Sequence, residues 1–409
     1  MGRAARAIVV GLFALAGCRG GGGAGGAGGG GAGVAGTGSG VGGGGGAAGS
    51  AGVPGGNGGA GGTAGAAGRG GDGGTAGAAA GGGGVGGTAG GAGAAGSGGA
   101  GGCAFTVAAS LSTAIPTVGI VTFATDPPDV TTAEIQFGLA AGGPTMTAPV
   151  DLTQPDHRTL LLGMKASGSY VFRIVATAAA AACTSADYTL TTGALSRGVL
   201  KVPPTIYDDA GRARGFIVVT ALGGLSFVLD ADGDPVWWLP SSRPATTRTQ
   251  MSWDGRDVYL VSMNPGNVER ISMDGLDVDG NVSGLAGAHH DLTAIPGGVA
   301  ALLQVPVDGG IANSLVERSR DGTITTVVAD LATLYPASHP NAIHYTPWDD
   351  SYTVGDSLAT AFVKITRMGE LVWQFGGVNP NYPSKLFQGV TPWRVNHGHH
   401  SSPTAPSRS

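Results

Sequence analysis

Four short stretches of the chain repeat one another, each a pair of β-prone runs around a tight turn. They are Val228–Trp238, Arg270–Gly275, Val316–Ile324 and Lys364–Trp373. Their turn glycines, Gly233, Gly275, Gly322 and Gly369, stand 42, 47 and 47 residues apart. In three of the four the glycine follows an aspartate, and Asp-Gly between β-branched runs favours a hairpin because the turn needs positive φ. A hairpin at this period matches the four-stranded blade of a β-propeller. The region 198–400 is therefore predicted to be a propeller, with an irregular long-looped sandwich as the rival. The first and fourth repeats agree in detail, Gly233-Asp234-Pro235-Val236-Trp237 against Gly369-Glu370-Leu371-Val372-Trp373.

The preceding chain is of a different kind. Residues 19–102 hold 48 of the 81 glycines in 84 positions. Gly and Ala bury too little apolar surface to offset backbone entropy, so this segment is expected to be a disordered tether. As a flexible coil it would span roughly 50 Å. Its glycines follow no three-residue period, which excludes collagen. Before it, residues 1–18 read as an export signal. Arg3 and Arg6 precede the apolar Ala7–Ala16, a run too short for a permanent membrane span. The net charge of −5, with 22 Lys and Arg, argues against a nucleic-acid partner.

Residues 103–197 show short β-branched strands between turn signals, such as Thr117–Phe123, Ala133–Gly138, Tyr170–Val175 and Tyr188–Gly193. That spacing suggests a β-sandwich, and the segment resembles a fibronectin type III module, usually a spacer or packing partner. Cys103 and Cys183 form an even pair in an exported chain and suggest a disulfide, two free buried thiols being the alternative. On the chain-entropy picture such a bridge contributes about 4–5 kcal/mol.

Seven of the 8 histidines lie between His289 and His400, in three packets about one blade period apart. The packets are His289-His290-Asp291, His339 through His344, and His397-Gly398-His399-His400. Equivalent positions on successive blades face one channel, so residues distant in sequence are expected to converge. Three roles stay open on spacing alone: zinc or copper binding, nucleophilic and acid–base chemistry, or structural hydrogen bonding between blades.

The order Ala288-His289-His290-Asp291-Leu292, His339-Pro340-Asn341-Ala342-Ile343, Lys364-Ile365 through Leu371-Val372-Trp373-Gln374-Phe375-Gly376-Gly377, and Asn396-His397 resembles the bacterial aryl-sulfate sulfotransferases, from about Thr205 to His400. The resemblance implies a six-bladed propeller that passes a sulfuryl group from an aryl sulfate to a phenol, by a ping-pong route without a nucleotide sulfate donor. By position His397 matches the nucleophile, while His290 and His339 match the histidines that contact the sulfate. His289, Asp291 and Asn341 fall in the substrate-binding neighbourhood, Asp291 either holding an imidazole tautomer or capping a turn. No cofactor and no metal are implied. The tetrapeptide Leu15-Ala16-Gly17-Cys18 likewise resembles the lipoprotein box, which would lipidate Cys18 and anchor the chain to the cell envelope, at the outer membrane since Arg19 follows.

Two departures from the family pattern bear on activity. Ser357 occupies the position of the family's sulfate-binding arginine, and Arg367 or Arg394 is the possible substitute. After His400 the family pattern continues Leu-Leu-Pro-Asp-Gly-Ser-Leu, whereas this chain reads Ser401-Ser402-Pro403-Thr404-Ala405-Pro406-Ser407. In GC-rich codons a one-base shift converts the first into the second, so residues 401–409 are expected to be an out-of-frame tail. The propeller would then be incomplete, and the chain as written inactive or weakened. The competing reading is a non-catalytic propeller that binds a ligand or partner.

Overall fold

The computed structural model describes residues 103–387, apart from 127, 179–180, 197–198, 200, 203–214, 222–223 and 241–244. Of the two units into which the chain divides, Leu15–Gly86 lies outside the described residues, and all that follows belongs to the other. The expectations for the leader with Cys18, for the tether, for Arg394, for the packet His397–His400 and for the tail 401–409 also fall outside the described residues.

The described chain is all-β, a sandwich followed by propeller blades. The sandwich strands are β1 (Ala104–Leu111), β2 (Gly119–Asp126), β3 (Val130–Leu139), β4 (Met146–Pro149), β5 (Thr159–Leu161), β6 (Ser169–Ala178), β7 (Ala181–Thr184) and β8 (Tyr188–Thr191). One sheet runs β1-β2-β5 and the other β4-β3-β6-β7, with β8 also on β6. Period-2 burial drives this arrangement: on β6, Tyr170, Phe172, Ile174 and Ala176 point inward and alternate with less buried residues. Cys103, before β1, is bonded to Cys183 on β7 with Cα atoms 5.8 Å apart, tying the two sheets.

Four sheets follow, each an up-and-down meander in its main strands. The first holds β9 (Ile217–Ala221), β10 (Leu225–Leu229) and β11 (Pro235–Pro240). The second holds β12 (Thr246–Met251), β13 (Asp257–Ser262), β14 (Asn267–Ser272) and β15 (Val278–Asp279). The third holds β16 (Ala288–Ile295), β17 (Gly298–Val307), β18 (Gly310–Ser319) and β19 (Ile324–Val328). The fourth holds β20 (Pro340–Thr346), β21 (Ser351–Asp356), β22 (Ala361–Thr366), β23 (Leu371–Gly376) and β24 (Leu386–Phe387). The leading strands β9, β12, β16 and β20 adjoin one another in turn, as the inner strands of successive blades do.

Blade-on-blade packing explains why the middle strands lose their polar alternation. Every residue of β13 and of β21 is buried, since each sheet is covered on both faces. On β17, Val299, Ala301 and Leu303 join the core shared with the second blade, while Ala300 and Leu302 join the core shared with the fourth. The predicted turn glycines all take positive φ, from 72° at Gly275 to 95° at Gly322. The sandwich is itself part of the first inter-blade core: Ile115 and Val118 pack with Val228, Trp237, Leu260 and Met273. Thr117 Oγ1 donates to the Val236 carbonyl at 2.7 Å. No helix among the described residues is long and apolar enough to cross a membrane.

Candidate functional site

The inner strands are regular except at one level, where each of the three beginning with β12 bulges. Between the paired positions Thr246 and Arg248, β12 has one residue more than β13; β20 has one extra between Pro340 and Ala342. On β16 the irregularity is larger, with Ala288 opposite Leu303 but Leu292 opposite Ala301. The bulge residues are thus Thr247, His289-His290-Asp291 and Asn341, on three successive blades. A bulge re-aims side chains that a flat ladder would bury, and here it gathers imidazoles.

His290 Nε2 and His339 Nε2 lie 2.8 Å apart, across 49 positions of sequence. His289 packs edge-on to both, with ring centroids at 4.0 Å from His290 and 4.9 Å from His339. One ligating nitrogen from each ring lies within 4.8 Å of the others. His290 is 8 % exposed and has φ of 63°, a left-handed backbone that few non-glycine residues adopt. Strain of this kind collects where function needs a side chain in an awkward place.

Neighbouring groups fix these rings through the backbone. Thr247 Oγ1 donates to the His290 carbonyl at 2.9 Å. The His339 amide donates to both carboxylate oxygens of Asp356 at 3.0 and 3.1 Å, and its carbonyl accepts from the Ser357 amide at 3.2 Å. Asp356 is fully buried and also accepts from the Ser338 and Ala359 amides. Asp291 sits 4 % exposed between blades: Oδ1 accepts from the Leu292 amide, Oδ2 from the Ile343 amide, and Arg248 Nε pairs with it at 3.1 Å. Its partners thus include one guanidinium and two backbone amides, the pattern of a staple across three blades.

Two of the three predicted catalytic histidines, His290 and His339, therefore meet, and His289 meets them; His397 lies outside the described residues. Asn341 is 1 % exposed, and neither its Oδ1 nor its Nδ2 has a hydrogen-bond partner among the described residues. Arg367, named above as a substitute cation for Ser357's place, has its guanidinium held by Glu317 at 2.8 and 2.5 Å and by Asp350 at 3.2 Å. The Glu317 hydrogen bonds, opposing the effect of burial, raise its pKa further.

Thr247, Arg248 and Asp356 escape sequence reasoning. Asp356 stands one residue before Ser357, and an aspartate at the end of a β-run is an available signal for a backbone cap. Nothing in the sequence marks Thr247 or Arg248, whose parts depend on the third dimension.

No protein family matches the chain, and neither does any curated protein. Among solved structures it is similar to the Swd1 β-propeller domain of Myceliophteria thermophila, at 15 % identity and a TM-score of 0.28, covering 40 % of this chain and 52 % of that one. The chain thus spans about half the length of that relative. A Bacteroides thetaiotaomicron protein of unknown function shares 13 % identity at a TM-score of 0.29, covering 63 % of this chain and 68 % of the other. A chain of the nidogen/laminin complex shares 10 % identity at 0.29, covering 60 % and 93 %. The propeller assignment rests on the sheet order and the inter-blade cores described above.

Proposed function

We propose that the chain is an aryl-sulfate sulfotransferase-like protein that binds the sulfate of an aryl ester at His290, His339 and Asn341 and passes the sulfuryl group to a phenol. The observation that carries this reading is the convergence of His290 and His339 from separate blades, with Asn341, two residues beyond His339, holding a buried amide that has no partner among the described residues. Sulfuryl transfer spreads charge over equatorial oxygens and responds to positioned donors, as phosphoryl transfer does. Imidazole N–H groups and the Asn341 amide supply such donors without a metal or a nucleotide.

In the step itself, the nucleophilic imidazole nitrogen forms the N–S bond as the aryl C–O–S linkage breaks at S–O and phenolate leaves with the electron pair. A second phenol, losing its proton to a histidine, then attacks sulfur and frees the imidazole. His397 is assigned the nucleophile's part by family resemblance, and His290 and His339 hold the oxygens. The leader supports attachment of Cys18 to a lipid at the cell envelope.

One observation favours binding without transfer: Ser357, bonded through its amide to the His339 carbonyl, presents a serine where the family has a guanidinium. The test is release of nitrophenolate from para-nitrophenyl sulfate by the full chain with phenol as acceptor. Release that disappears in His339→Ala and His290→Ala supports transfer. Saturable binding of the ester with no release in the parent chain supports the binder.

A further inference from the structure

The 2.8 Å approach of His290 Nε2 to His339 Nε2 leaves room for one hydrogen between two nitrogens, so one ring donates and the other accepts. Two rings protonated at these atoms would repel, and two bare ones would face lone pair to lone pair. A divalent cation can take the place of that single hydrogen, drawing both lone pairs to itself. Nitrogens bound tetrahedrally at about 2.0–2.1 Å from such an ion lie about 3.3 Å apart. The three ligating nitrogens of His289, His290 and His339 lie within 4.8 Å of one another, with one pair at 2.8 Å, so modest ring rotations bring them to that spacing.

We infer that His289, His290 and His339 form a three-nitrogen site for a borderline divalent cation, copper more tightly than zinc, and that the cation competes with the sulfate ester for the same rings. Imidazole is a suitable ligand for both metals, and copper heads the affinity order for such sites. Among the described residues the cluster holds three imidazoles, and a three-imidazole site leaves a coordination position for an exchangeable group. Only the competing ligand depends on the sulfotransferase reading; the metal site stands on the rings.

The test titrates copper(II) into the full chain after chelator treatment and reads the electron paramagnetic resonance spectrum. One copper per chain is expected, with hyperfine structure from bound nitrogen. Its affinity should fall in His289→Ala and His339→Ala by more than the about 10–100-fold that loss of an outer-shell partner produces. His344→Ala, on the strand that follows His339, should leave the spectrum unchanged, and circular dichroism confirms that each variant is folded. Adding phenyl sulfate should weaken copper binding in proportion to its concentration.

A copper signal that survives His339→Ala but is lost in His399→Ala overturns the inference, since the metal then sits on the C-terminal histidines. So does weak binding of several ions alike in parent and variants. A chain that binds copper at these rings yet never releases nitrophenolate keeps the metal site and removes the transferase reading. Release without specific copper binding does the reverse.

Discussion

The outer turns of the blades and the inner-strand ends obey opposite rules. At the four repeat turns, Gly233, Gly275, Gly322 and Gly369 take the left-handed positions, and sequence and geometry agree. Gly369 shows why no other residue fits: a Cβ there would run into the Val327 carbonyl oxygen of the preceding blade. At the inner ends, a histidine occupies a left-handed position, ladders slip, and an acid is buried against a guanidinium. Local consistency makes the scaffold, and local violation marks where the scaffold is put to use.

The largest expected effect lies at the inner ends. Asp291→Ala strips Arg248 of its partner and leaves a charge with only 9 % of its side chain exposed. Loss of one member of a buried pair typically costs about 3–5 kcal/mol, so denaturant unfolding should show a matching drop or no folded protein. A loss below about 1 kcal/mol, the range of exposed pairs, would mean the staple is ornamental.

The turns give the next effects. Gly369→Ala should cost more than Gly297→Ala, although φ is 82° and 78° at the two sites. A methyl group added at Gly297 meets nothing within 4 Å and bears only the left-handed penalty of about 1–2 kcal/mol, whereas one added at Gly369 also clashes with backbone. Equal unfolding midpoints for the two variants would show that the blades part easily at Gly369.

At His290 the usual order of substitutions should reverse. In an ordinary strand Gly is less stable than Ala, but φ of 63° at this position should make His290→Gly more stable than His290→Ala by about 1 kcal/mol. The ordinary order would show that the bulge relaxes once the ring is gone.

The smallest effect concerns the first outer turn, where Lys165 of the sandwich reaches Asp230, Asp232 and Asp234 at 3.2, 2.9 and 2.7 Å. Burial alone would lower the lysine pKa, but the three carboxylates outweigh it and raise it above 10.5. Burial pushes the Asp234 pKa up, and Lys165 and Lys201 outweigh that, holding it below 3.8. The raised lysine contributes stability that is complete below pH 10.5 and lost as pH climbs through its folded value. The lowered aspartate contributes stability present above pH 3.8 and lost as pH falls through its own. Lys165→Ala should therefore lower stability on the plateau between, by about 0.5–1 kcal/mol as partly exposed pairs do. The gap between parent and variant should close toward either extreme, as an unfolding series across pH would show.

The hairpin period, the alternation on β6 and the clustering of histidines at blade spacing are all present in the sequence, because they follow from local chemistry repeated at fixed intervals. The meeting of His290 with His339 follows from that period once the blades are assumed. The bulges do not follow, since a residue added to a ladder leaves no compositional trace. The parts of Arg248, Thr247 and Asp356 depend on partners 43, 43 and 17 positions away. Asp291 reads as a companion of histidine beside His290 in sequence, yet its oxygens reach Arg248 and the Ile343 amide.

The sulfuryl-transfer reading meets its sharpest trial in a mass measurement on the full chain incubated with para-nitrophenyl sulfate and no acceptor. It predicts a gain of one sulfuryl group, mapped to the peptide carrying His397, absent in His339→Ala and discharged on adding phenol. An unmodified chain, or a group carried on any residue other than a histidine, would contradict it.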